Sequence, residues 1–249
     1  MGVSCVRLGG AAKTDEKGGE DCVFHDVSHK EIGGIWKSHG RDKIDTSWLA
    51  DRCRLTDDRP MQPTDANLLG KLLIAMPEMG DPRFEHSVIY ICAHSKEGAM
   101  GLIVNKPQSK LRFSKLLEQL DISADGDVKD VRIHYGGPVE MARGFVVHTS
   151  DYRSEMGTLD VDGRIGMTAT IDVLEDIAKG DGPATSMLAL GYAGWGAGQL
   201  EGEIMRNGWL TCDPTDAIVF GRANEHKWTA ALKILGVDPL MLSSTAGHA

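Results

Sequence analysis

From residue 61 onward, short apolar runs alternate with polar turns, and both the two-residue and the 3.6-residue periods can be read in them. "HSVIYICAH" (86–94) predicts a strand, with Val88, Tyr90, Cys92 and His94 on one face and Ile89, Ile91 and Ala93 on the other. Apolar residues on both faces mark a central strand, covered from two sides. After the turn "SKEGAM", "GLIVNKP" predicts a second strand in a hairpin-like pair. In "LRFSKLLEQL", Phe113, Leu116, Leu117 and Leu120 recur at helical spacing and predict an amphipathic helix.

"GFVVHTS" (144–150), "RIGMTAT" (164–170) and "SMLALGY" read as further strands, and "DAIVFG" as another. "DVLEDIAKG" predicts a short helix, opened by the capping-box pair Asp172/Glu175 and stopped at Gly180. "GQLEGEIMRN" predicts a helix, and Trp228, Ala231, Leu232 and Leu235 a last one that ends at Gly236. Hairpins mixed with isolated helices make an α+β domain rather than a regular βαβ series.

The first sixty residues carry ten Lys/Arg, eleven Asp/Glu and three polar glycine pairs, without a sustained period. They are expected to form a poorly ordered extension, 1–60, ahead of one α+β domain at 61–249, with Met61 as a plausible start. Within the extension, Cys22, His25 and His29 have the spacing of a partial zinc site that lacks a fourth ligand. The five cysteines, 5, 22, 53, 92 and 212, are odd in number and scattered, as expected of reduced thiols in a cytoplasm. "LLGKLLIAM" is too short to span a bilayer. The net charge of −9, of which −8 falls in 61–249, opposes direct nucleic-acid binding, since no basic run longer than "RDK" (41–43) offsets it.

"LALGYAGWGAGQLEGEI" (188–204) spaces Gly191, Gly194, Gly196 and Gly198 between a strand-like and a helix-like run, the setting of a phosphate loop. A P-loop needs Lys and Ser/Thr after its last glycine, but Gln199 and Leu200 follow. The dinucleotide pattern fails at Glu201, where its third glycine belongs. Glu201 and Glu203 would also repel phosphate from the positive end of the helix. The expectation is a tight strand-to-helix corner, with glycines at positive φ under Trp195.

"LLIAMPEMGDPRFEHSVIYICAHSKEGAMGLIVNKP" (72–107), "YGGPVEMARGFVVHTS" (135–150) and "LGYAGWGAGQLEGEIMRNGWL" (190–210) resemble, in order and spacing, three signature blocks of the bacterial YqgE/AlgH family. The resemblance covers about 65–240, with departures at Ala197, Gly202 and Gly208. It implies a compact cytoplasmic α+β protein, a single domain with a mixed, strongly twisted sheet and several short helices. One branch of the family is described as a transcriptional regulator of alginate production. No reaction or cofactor is implied.

Candidate site residues come from the same blocks. Asp81, Arg83 and His86 follow a Pro-bounded turn: Arg83 offers a guanidinium for an anion and His86 an imidazole for proton transfer, against a plainer reading as an internal ion pair and turn cap. Asn105, Gly137, Trp195 and Gln199 would line a small neutral-to-polar pocket if their loops converge. Cys92 and His94, two residues apart on a strand, lie beyond hydrogen-bond reach of one another. His148, Ser150 and Asp151 have the residue types of a triad but are too close in sequence to form its relay. No metal or catalytic motif is present, and no cofactor is expected. The leading expectation is a non-enzymatic cytoplasmic regulatory or interaction protein, working through a protein partner or a small ligand. The alternative is an enzyme or small-ligand binder with a polar loop pocket around Arg83, His86 and Gln199.

Overall fold

The computed structural model describes residues 67–77, 79–123, 130–239 and 242; the 1–60 extension and its Cys22/His25/His29 spacing lie outside the described residues. Nine strands form one sheet: β1 (Leu72–Ala75), β2 (Val88–Ser95), β3 (Gly98–Ile103), β4 (Ile133–Tyr135), β5 (Val139–Thr149), β6 (Leu159–Asp160), β7 (Ile165–Thr168), β8 (Ser186–Gly196) and β9 (Trp209–Cys212). The order is β6-β7-β5-β8-β3-β2-β1-β9, with β4 beside β8. All pairings are antiparallel except β4 with β8, so the sheet is mixed, and it curls into a half-barrel. Among the described residues, five α-helices complete the α+β fold: α1 (Phe113–Gln119), α2 (Asp172–Lys179), α3 (Gln199–Met205), α4 (Asp216–Val219) and α5 (Lys227–Ile234).

Both faces of the sheet are dry. On one, Leu72, Ile74, Val88, Tyr90, Leu102, Phe145 and Val147 pack under Trp228, Ala231 and Leu232 of α5. On the other, α1 and α2 cover Val146, Leu188 and Leu190, while Leu200 of α3 covers Leu73, Ile89, Ile91 and Trp195. Burying each of these large apolar side chains contributes roughly 1.5–3 kcal/mol.

Two irregularities break the simple alternation. The β2–β3 register shifts between Ile91 and Ala93, so Ala93 joins Cys92 in the α5-covered core. His94 is displaced to the α3 side, where its Nε2 meets Glu201 Oε1 at 2.7 Å. The expected face shared by Cys92 and His94 therefore does not exist. In β8, Gly191 (φ +72°) resets the parity: Leu188 and Leu190 face α1 and α2, whereas Ala193 and Trp195 face α3. The glycine segment is thus mostly strand, not a corner. Of its later glycines only Gly198 (φ +69°) is left-handed, where it caps α3.

Two other expectations change. "DAIVFG" is helical over α4, started by Thr215 Oγ1 accepting from Ile218 N. The capping box does not form: α2 has Ile171 at its N-cap, and Asp172 accepts instead from Ser154 Oγ. The short strands β1, β4, β6 and β9 have too few residues to display a period of their own.

Where β3 and β8 diverge, Gly136 joins them: its N–H donates to Leu190 O (2.7 Å) and its carbonyl accepts from Ile103 N (2.9 Å). A Cβ on Gly136 would stand 2.2 Å from Gly191 O, and one on Gly137 2.2 Å from the Tyr192 carbonyl carbon. Gly137→Ala should therefore destabilise by about 1–3 kcal/mol or more, as overpacking does, in chemical denaturation. Gly196→Ala, with only Gln199 Oε1 at 3.9 Å, should cost far less. Equal losses at the two positions would contradict this packing.

Buried His134 supplies a pH prediction. Burial pushes its imidazole down to about 4, although the Asn224 hydrogen bond (3.2 Å) acts in the opposite direction. An unfolded imidazole titrates near pH 6.5, so between about 6.5 and 4 the unfolded chain binds the proton that the fold resists. Stability should fall as the pH drops through that window, by about 3 kcal/mol from this residue. Urea midpoints of the wild type and His134→Gln, followed from pH 7 to pH 4, should converge; parallel profiles would refute the assignment.

Candidate functional site

The signature segments meet on the α3-covered side of the sheet. Asp81 caps the 3-10 turn Pro82–Phe84, and Oδ1 accepts from Arg83 N at 2.9 Å. The same carboxylate accepts from Arg83 Nε at 2.9 and 3.0 Å. That hydrogen-bonded guanidinium holds the Asp81 carboxyl below its usual range. The pair is a local fork within one exposed turn. Lys106 Nζ donates to Arg83 O at 2.7 Å and ties the turn to the segment after β3.

Asn105 fixes the next two residues. Its Oδ1 accepts from Val88 N (2.9 Å) and its Nδ2 donates to His86 O (2.8 Å). Held in this way, His86 takes φ +51° and stands edge-on to Trp228, with ring centroids 4.5 Å apart. His86 therefore packs beside α5, not toward Gln199. Gly137 lies under the backbone of Tyr192.

Trp195 and Gln199 do come together, at a residue that sequence reasoning did not choose. Glu203 Oε2 accepts from both indoles, Trp195 Nε1 at 2.9 Å and Trp209 Nε1 at 2.8 Å. Its Oε1 accepts from Gln199 Nε2 at 2.9 Å, and Gln199 Oε1 accepts from Gly196 N at 3.1 Å. The indoles stack edge to face at 5.9 Å, and Phe84 stands edge-on to Trp209 at 5.7 Å. A continuous strip therefore runs from the Asp81–Arg83 turn through Phe84, Trp209 and Trp195 to α3. The i,i+4 spacing of Gln199 and Glu203 was the available signal.

Groups of catalytic type elsewhere are occupied. Cys92 is fully buried, which pushes its thiol up, away from the reactive thiolate. His148 is buried between Thr149 O (2.8 Å) and Thr168 Oγ1 (2.9 Å). Burial pushes its imidazole down. Asp151 bonds to Thr149 Oγ1 and Ala184 N, not to His148. Among the described residues, no group of three or more His, Cys, Asp or Glu is placed to hold a metal.

The AlgH-like family model, DUF179, matches residues 72–240. The chain belongs to the AlgH-like family. A UPF0301 protein of Cereibacter sphaeroides is 55% identical over 183 residues, covering 74% of this chain and 100% of the relative. A UPF0301 protein of Ruegeria pomeroyi is 59% identical over 184 residues, with the same coverage. The solution structure of the AlgH protein from Pseudomonas aeruginosa superposes with a TM-score of 0.61 at 42% identity, covering 77% of this chain and all of that one. A protein of Corynebacterium diphtheriae shares the fold, with a TM-score of 0.56 at 20% identity over 79% of this chain and all of the other. The matched span of this AlgH-like chain contains the whole strip, from Asp81 to Trp209.

Glu203 is the residue on which the strip turns. Glu203→Ala leaves two indole N–H groups without their acceptor and should cost about 2–4 kcal/mol, together with the tryptophan near-UV circular dichroism. Glu203→Gln keeps one acceptor oxygen but points an amide donor at Gln199, and should lose less. Unchanged melting and an unchanged spectrum in both variants would show that the hub carries nothing.

Proposed function

We propose that this AlgH-like protein is a non-enzymatic cytoplasmic regulatory or interaction protein that alters gene expression through a protein partner or a small ligand, without touching DNA directly. One observation carries the reading: the polar groups along the strip are tied to one another, Asp81 to Arg83 and Glu203 to Gln199 and to two buried indoles, which fixes the shape of the outer edge formed by Arg83 and Gln199. A general base or nucleophile must instead stand within reach of a substrate proton or carbon. The net charge of −9 supports the exclusion of DNA, because phosphate contacts need local positive charge. Among the described residues no helix is long and apolar enough to cross a membrane.

The enzymatic or ligand-binding alternative keeps one specific observation, the exposed His86 imidazole held at a positive φ. Strained residues of this kind cluster at functional sites. Asn105 supplies a structural reason for the strain, which favours the first reading.

A chromosomal deletion complemented with the wild type, with Asp81→Ala/Arg83→Ala or with His86→Ala separates the two. Loss of the transcript pattern only in the paired variant supports a surface contact; loss only in His86→Ala supports chemistry at the imidazole. The full chain should also show no micromolar affinity for duplex DNA near physiological salt in fluorescence anisotropy. A steep fall of measurable affinity with added salt would overturn the exclusion.

A further inference from the structure

On the side of the sheet away from the strip, the turn after α4 brings together positive groups from three segments. Arg132, just before β4, donates from Nη1 to Arg222 O at 3.1 Å. Two residues further along each segment, His134 Nε2 meets Asn224 Oδ1 at 3.2 Å, so the two segments are joined twice. Behind them Lys227 is only 3% exposed; its Nζ donates to Val104 O (2.8 Å) and Val219 O (3.1 Å) and meets no carboxylate among the described residues. Burial, with Arg132 nearby, pushes the Lys227 ammonium down to about 8, so it remains mostly charged at neutral pH.

Among the described residues little carboxylate offsets that charge. The Arg132 guanidinium is disfavoured by burial and then by Arg222, and only Asp130 acts in its favour. Glu225, the nearest acid in the turn, faces its neighbour His226 at 3.7 Å. In a chain with 36 acidic and 27 basic residues, three neighbouring cations with so little carboxylate make a local positive patch that attracts an anion. The fold holds Arg132 in place through the Arg222 carbonyl, and the fork of a guanidinium matches the oxygen geometry of a phosphoryl group.

We propose that Arg132 and Arg222, with the Lys227 charge behind them, form a binding site for a phosphate-class oxyanion, separate from the Asp81–Glu203 strip. Arg132 and Arg222 contact the anion. Lys227 and the His134–Asn224 pair hold the segments and keep the potential positive.

The full chain is titrated with inorganic pyrophosphate at constant ionic strength, balanced with chloride, by isothermal calorimetry and thermal melting. Saturable binding with Kd below about 1 mM is expected, with a midpoint rise of about 3–6 °C at roughly ten times Kd. Arg222→Gln removes only a surface side chain and keeps the carbonyl that holds Arg132, so it should fold normally and bind at least tenfold more weakly. Arg132→Ala should bind more weakly still, while Arg132→Lys restores part of the loss. A parallel titration with ADP identifies the source: tighter binding than pyrophosphate points to a nucleotide, equal binding to a free polyphosphate. Binding no stronger than that of chloride, or unchanged in Arg222→Gln and Arg132→Ala, would overturn the assignment.

Discussion

The bond pair at Gly136 holds the sheet together. Strand β3 leaves β8 after Gly101, and the gap would leave buried N–H and C=O groups without partners. Gly136 closes it by donating to Leu190 O and accepting from Ile103 N, and only a residue without Cβ fits, since Gly191 O stands 2.2 Å from where that atom would be. From this junction β4 runs parallel to β8, and β5 returns along the other edge of β8. Both halves of the half-barrel thus depend on a single strand and two adjacent glycines.

The same junction explains why chemistry-bearing residues end up where they do. Gly191 flips the parity of β8, so Trp195 emerges on the α3 side and can share Glu203 with Trp209 from the far end of the sheet. The bulge in β2 does the same for His94, which reaches Glu201. A backbone irregularity in β8 and the Asp81–Arg83 turn together assemble the strip. A surface built from mutual hydrogen bonds between its own side chains is pre-organised, which lowers the entropy cost of docking a partner.

Charge is distributed unevenly over this acidic molecule. In the strip Asp81 faces Arg83, whereas the Arg132–Arg222–Lys227 corner has only Asp130 acting in favour of its charge. The corner is tied mainly to backbone carbonyls, Arg132 to Arg222 O and Lys227 to Val104 O and Val219 O.

The sequence by itself determined the α+β class, the strand β2, residues 144–149 of β5 and 186–192 of β8, and the helices α1, α2, α3 and α5, because each rests on local period or turn chemistry. Asp81 with Arg83 was legible for the same reason, being two residues apart. Tertiary structure alone decided which way side chains point after Gly191 and Ile91, since a single extra residue or positive φ reverses a two-residue period. It also decided that "DAIVFG" is helical, through the Thr215 cap and packing on α5. Glu203 was signalled only by its i,i+4 spacing from Gln199, since the two indoles that share it belong to different strands, and the Arg132–Arg222 corner was invisible beforehand because the two lie far apart along the chain and meet through a backbone carbonyl. Such contacts arise only when the sheet curls and brings distant segments within 3 Å of one another.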